Sequence, residues 1–137
     1  MSDQTWTGAC LCGSVCYAAE GAPLASLICH CRDCQRASGS AGMPVVVLRK
    51  DGFRVKGEIR SFTCAGGSGV DTTRNFCAAC GSLLFGLPGH APDIVTIYAG
   101  TLDDPSRFQP TFAQFTQSRF ALDGHGLDLT EYSGGAP

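Results

Sequence analysis

Nine cysteines stand among 137 residues, and seven of them fall into three tight groups. Cys10-Leu11-Cys12-Gly13 comes first, Cys29-His30-Cys31-Arg32-Asp33-Cys34 second, and Cys77-Ala78-Ala79-Cys80-Gly81 third. All-thiolate tetrahedral sites favour zinc, because thiolate is a soft ligand. Four thiolates close such a site, whereas three leave a position for water or substrate. Seven clustered cysteines therefore divide into one sealed metal and one reactive metal, two zinc ions per chain.

Cys-x-Cys-Gly and Cys-x-x-Cys-Gly are both metal-knuckle shapes, the glycine permitting the turn that aims backbone N–H groups at sulfur. Pairing Cys10 and Cys12 with Cys77 and Cys80 gives a structural site that pins the N-terminal strand to the middle of the chain. Cys29, Cys31 and Cys34 form the open site, the first two on an extended segment and the third returning from a helical turn. There a substrate thiol would lose its proton, or a carbonyl would be polarised. A fourth protein ligand would close this site too; the candidates are Cys16, Cys64, His30, His90 and His125. The ring of His30, squeezed between two ligands, is expected to point away from the metal. Disulfides fit poorly with an odd cysteine count and a Cys-x-Cys spacing. The spacings also differ from ferredoxin runs. Cys16 and Cys64 fall in strands, where cysteine serves as a small hydrophobe.

Length fits one domain over 1–137, with a core that does not depend on metal as a zinc finger does. The formal charge is −2, with two lysines and eight arginines. Seven thiolates and two zinc dications move the charge to about −5, a poor footprint for nucleic acid. No stretch approaches the ~18 apolar residues of a membrane span, and the first residues, Met1 to Thr7, lack the pattern of a signal peptide. A cytoplasmic, reducing location is the expectation, where cysteine clusters read as metal or catalytic sites.

Strand signals dominate the elements that must hold these groups. Residues 14–18, 43–49, 53–55, 59–64, 70–76, 83–87 and 94–99 read as strands, with Val45 to Leu48 too continuous for a surface strand. Arg32 to Ser38 predicts a two-turn helix stopped by Gly39, and Asp103-Asp104-Pro105 starts a short turn.

The chain resembles the glutathione-dependent formaldehyde-activating enzymes, or S-(hydroxymethyl)glutathione synthases, and their centromere-protein-V relatives. The resemblance rests on residues 8–17 around Cys10 and Cys12, on Cys29 to Arg36 with Gly39-Ser40, and on Asn75 to Ser82. Gly100-Thr101-Leu102-Asp103-Asp104-Pro105 extends it, so the core motifs span 8–105. The tail from Ser118 through Asp123-Gly124 to Tyr132 matches more weakly, with Phe120 where tryptophan is usual. The resemblance implies a mainly β, β-tent fold of small antiparallel sheets with zinc knuckles and little helix. It implies a structural zinc on Cys10, Cys12, Cys77 and Cys80, and a catalytic zinc on Cys29, Cys31 and Cys34.

The activity so implied is a carbon–sulfur lyase or synthase condensing glutathione, or a related thiol, with formaldehyde or a small aldehyde to a hemithioacetal. Glutathione carries two carboxylates, and Arg32, Arg36 and Arg74 are the arginines nearest the clusters; Ser40 and Gly42 are further candidates to line the pocket. Two rival classes are a non-catalytic zinc module that binds a protein or small thiol, and a thiol redox enzyme. The second would need Cys64 or Cys16 as a low-pKa cysteine, and neither has a basic activator close in sequence.

Overall fold

The computed structural model describes residues 4–67, 69–120 and 129–137. The chain is mainly β: β1 (Thr5–Ala9), β2 (Cys16–Glu20), β3 (Ala25–Cys29), the single α-helix α1 (Arg32–Ser38), β4 (Met43–Arg49), β5 (Arg54–Lys56), β6 (Ile59–Ala65), β7 (Asp71–Cys77), β8 (Leu83–Pro88), β9 (Ile94–Tyr98) and β10 (Phe112–Gln114). A three-stranded sheet runs β1-β2-β5, and a seven-stranded sheet runs β10-β3-β4-β9-β8-β7-β6. Every pairing is antiparallel except β10 with β3, which is parallel. No helix of the described residues is long and apolar enough to cross a membrane.

Alternation along β4 explains how the two halves of the molecule are built. Successive side chains point to opposite faces of a strand. Val46 and Leu48 are fully sealed and join Trp6, Tyr17, Val95 and Ile97 in a core between the two sheets. Burial of each such side chain contributes about 1.5–3 kcal/mol. Val45 lies on the opposite face, in a smaller cluster with Leu27, Cys29, Met43 and Tyr98. Val47, Cys31 and Cys34 pack against that cluster. The unbroken apolar run predicts burial on both faces; Val45, Val46 and Leu48 are buried, but Val47 is only half-buried, because the second sheet covers one face alone.

Helix α1 has the expected bounds. Cys31 is its N-cap, accepting the Cys34 N–H, and Gly39 ends it in the left-handed region with φ 67°. Asp104 caps the short 3-10 turn Pro105–Arg107 through the Ser106 N–H. β1, β3 and β10 are strands that the sequence does not announce.

Candidate metal centres

Cys10 follows β1 and Cys77 closes β7, so the first cluster joins the β1–β2 connection to the β7–β8 connection. The Sγ atoms of Cys10, Cys12, Cys77 and Cys80 all lie within 4.8 Å of one another. Cys10 and Cys12 are 3.6 Å apart, and Cys12 and Cys77 3.8 Å. A tetrahedron with Zn–S bonds of about 2.3 Å has edges of about 3.8 Å, so the spacing suits zinc. Both knuckles form as their glycines require, with Gly13 at φ 81° and Gly81 at φ 77°. Val15 N–H donates to Cys10 Sγ at 3.3 Å, and Ala79 and Cys80 N–H donate to Cys77 Sγ at 3.3 and 3.4 Å. Ser82 Oγ accepts the Leu11 N–H and lies 3.2 Å from Cys80 Sγ. That hydroxyl is the first reason the Cys80 thiol is held down at about 5. All nine cysteines are free of disulfides.

The second cluster is built by a strand end and a helix start. Cys29 ends β3, Cys31 caps α1, and Cys34 lies in its first turn. Their Sγ atoms are likewise within 4.8 Å of one another. Among the described residues no fourth His, Cys, Asp or Glu ligand atom lies with them, those of Cys16, Cys64, His30 and His90 included, although His90 lines the adjoining cleft. His125 lies outside the described residues. The His30 ring is buried, with Nδ1 3.3 Å from the Ala41 carbonyl and Nε2 3.5 Å from Arg119, occupied by other partners as its squeezed position predicts. The three thiols compete for one charge. Contact with Cys34 holds Cys29 down at about 5, against its own burial. The Cys34 thiol is pushed up by the same contact and by burial, and burial is the main cause that raises Cys31. Gln114, opposite Cys29 across the β10–β3 pair, also holds the Cys29 thiol down through a side-chain hydrogen bond.

These three cysteines open onto a cleft of about 410 Å³. Its floor is the uncovered face of the large sheet. Arg74, Gly86, Thr96, Val47 and Ala25 are cross-strand neighbours in one row. A Cβ on Gly86 would lie 2.5 Å from Thr96 Oγ1 and 2.6 Å from Tyr98 Oη, so glycine leaves the space those hydroxyls occupy. Tyr98 is buried, which pushes its phenol up to about 12 and keeps it a neutral donor. Phe115 stands at the cleft in the left-handed region at φ 55°. That conformation costs about 1 kcal/mol for a residue with a Cβ. Its ring lies against Gly67, where a Cβ would meet it at 2.9 Å.

Arg74 is the arginine that reaches this cleft. It is 8% exposed; Nη2 lies 3.9 Å from Cys34 Sγ and Nη1 3.7 Å from Cys64 Sγ. Its Nε is buried without a hydrogen-bond partner, and among the described residues no carboxylate pairs with it. A buried cation without a counter-charge is costly. One dication on three thiolates carries a net charge of −1, so a metal on Cys29, Cys31 and Cys34 supplies the charge that Arg74 lacks. The residues present therefore fit the ion. Arg32 and Arg36 line a different groove with Gly39, Ser40 and Phe120, and Gly42 packs beneath the His30 ring. Tyr98, Thr96, Gln114 and Phe115 are among the lining residues that the sequence does not single out.

The family model for the glutathione-dependent formaldehyde-activating enzyme matches residues 5–118. A crystal structure of a Rhodobacter sphaeroides protein, a structural-genomics target, is similar in fold with a TM-score of 0.59. It shares 20% sequence identity over 78% of this chain and 98% of its own. No curated protein gives a significant match.

Proposed function

The chain belongs to the glutathione-dependent formaldehyde-activating enzyme family, and from that premise we propose that it is a zinc-dependent carbon–sulfur lyase or synthase. It adds a thiol, glutathione or a relative of it, to formaldehyde or another small aldehyde. In the reaction the sulfur bonds to the carbonyl carbon, the C=O π bond opens, and the thiol proton ends on the oxygen as a hemithioacetal. The observation that carries the proposal is the three-cysteine cluster, without a fourth ligand among the described residues, at the wall of a cleft. Zinc held there supplies a Lewis-acidic position that lowers a thiol pKa or polarises a carbonyl.

The remaining work belongs to the chain. Cys10, Cys12, Cys77 and Cys80 hold the structural zinc, and Cys29, Cys31 and Cys34 hold the catalytic one. Arg74 balances the thiolate charge at the second site. The Tyr98 hydroxyl lies on the cleft floor, where it can donate to the aldehyde oxygen. Bringing both reactants into one cleft supplies the proximity term. A reducing compartment such as the cytoplasm keeps the seven thiols available.

The redox alternative gains one observation, since Arg74 gives Cys64 a basic neighbour at 3.7 Å. The test bears on both. Condensation of thiol and aldehyde above the spontaneous rate is expected for the wild type and for Cys64→Ser, and not for Cys31→Ser. Equal rates for wild type and Cys31→Ser would refute the condensation; loss of activity in Cys64→Ser with zinc content unchanged would revive the redox reading.

A further inference from the structure

Resting on the condensation reading above, we propose that the cleft prefers a thiol with an apolar body and at most one carboxylate, which it holds more tightly than glutathione. Leu27, Val45, Val47 and Ile94 form an apolar strip on the cleft floor, and Phe115 also lines it. On the other face of the same strands Val46, Leu48, Val95 and Ile97 are completely sealed. Leu27 and Val45 are buried while Val47 and Ile94 are only half-buried, so the strip runs from a closed end beside Cys29 to an open end on the face the small sheet leaves uncovered. The period of a strand places Ala25, Leu27 and Cys29 on one side of β3. A sulfur seated beside Cys29 therefore has its first carbons next to Leu27, at the start of the strip. The volume, about 410 Å³, lies within the range of small-molecule sites.

Charge argues the same way. Glutathione brings two carboxylates and an ammonium along with its thiol. Among the described residues the lining offers one permanent cation, Arg74, and one carboxylate, Asp33, exposed at the rim. Arg74 is already directed at two sulfurs, and its Nε is shut away from solvent. A second carboxylate would meet no second permanent cation among the described lining residues, His90, exposed at the rim, being the one other basic side chain; Asp33 would repel that carboxylate, although it could pair with the ammonium. Thr72, Thr96 and Gln114 can hydrogen-bond a neutral amide or hydroxyl but do not supply charge.

Titration of the cobalt-substituted protein with benzyl mercaptan, 3-mercaptopropionate and glutathione tests this, read from the thiolate-to-cobalt absorption bands and by calorimetry. Benzyl mercaptan is expected to bind at least about tenfold more tightly than glutathione, with 3-mercaptopropionate between them. Val47→Arg, which sets a cation in the strip, is expected to reverse the order. Equal or tighter binding of glutathione by the wild-type protein would overturn the selectivity while leaving thiol binding intact. Absence of any spectral or calorimetric response to all three thiols would overturn both this inference and the condensation on which it rests.

Discussion

Arg74 is a buried cation whose guanidinium faces two sulfurs, Cys34 and Cys64, rather than a carboxylate. Partners just outside a metal's ligands typically govern affinity by 10–100-fold. Arg74→Met is therefore expected to weaken metal binding at Cys29, Cys31 and Cys34 by roughly that factor, with Arg74→Lys recovering part of it. Competition with a chromogenic chelator measures the change, and unchanged affinity in Arg74→Met would show that the guanidinium serves packing alone. The cysteines themselves predict a pH dependence. In the metal-free protein Cys29 is ionised above about pH 5, whereas Cys31 and Cys34 are raised and stay protonated at neutrality. Metal must then expel two protons, so affinity falls as pH falls. The slope should be about two powers of ten per pH unit near neutrality. A flat profile would mean that the three thiols are already ionised before metal arrives.

At the scale of the elements, two glycines do different work, and substitution separates them. Gly81 has φ 77° and open space around its missing Cβ, so Gly81→Ala pays only for the left-handed backbone, about 1–2 kcal/mol. Gly86 has an ordinary backbone, but its Cβ would collide with Thr96 and Tyr98. Gly86→Ala is expected to cost about 1–3 kcal/mol through overpacking and also to weaken thiol binding, because it displaces the cleft floor. Urea denaturation and thiol titration together check the pair: a normal cleft in Gly86→Ala would refute the assignment. Much of this frame is legible in the sequence. β4 and β6 to β9 follow from β-branched and aromatic runs, α1 from its glycine stop, and the metal knuckles from cysteine spacing. β1 and β3 are diluted by glycine, alanine and serine. β10 is exposed along its length and pairs in parallel with β3, far away in the chain. Nothing local announces such a strand, so Gln114 and Phe115 escape notice. Tyr98 and Thr96 sit in a readable strand. Their role depends on which face the small sheet leaves open, and that is a tertiary fact. Arg74 is one of three arginines that the sequence places near the clusters, but nothing local singles it out from Arg32 and Arg36, because arginine is ordinarily a surface residue.

For the whole molecule, the two cysteine clusters differ in what they hold together. Cys10 and Cys12 follow β1 of the small sheet, while Cys77 ends β7 of the large one and Cys80 lies in the β7–β8 connection. A metal there staples the two sheets across their shared core. Cys29, Cys31 and Cys34 come from one short segment on the far face of the large sheet, so a metal there bridges nothing distant. Trp6 reports on the staple. It is the single tryptophan, buried in the shared core, with its indole N–H bonded to the Gly21 carbonyl and Arg107 stacked 4.0 Å from its ring. Chelation should therefore proceed in two stages. The first metal, lost from the three-cysteine site, leaves Trp6 fluorescence unchanged; the second, lost from the four-cysteine site, is accompanied by a red shift and a fall in melting temperature. With metal at a thousand times its Kd the staple is worth about 4 kcal/mol. Cys31→Ser should remove the first stage alone, since serine keeps the helix cap but not the soft ligand. Cys80→Ser should remove the second and destabilise the fold even when the other metal is bound. A Trp6 response to the first metal, or none to the second, would show that the clusters do not divide into a structural and a reactive site.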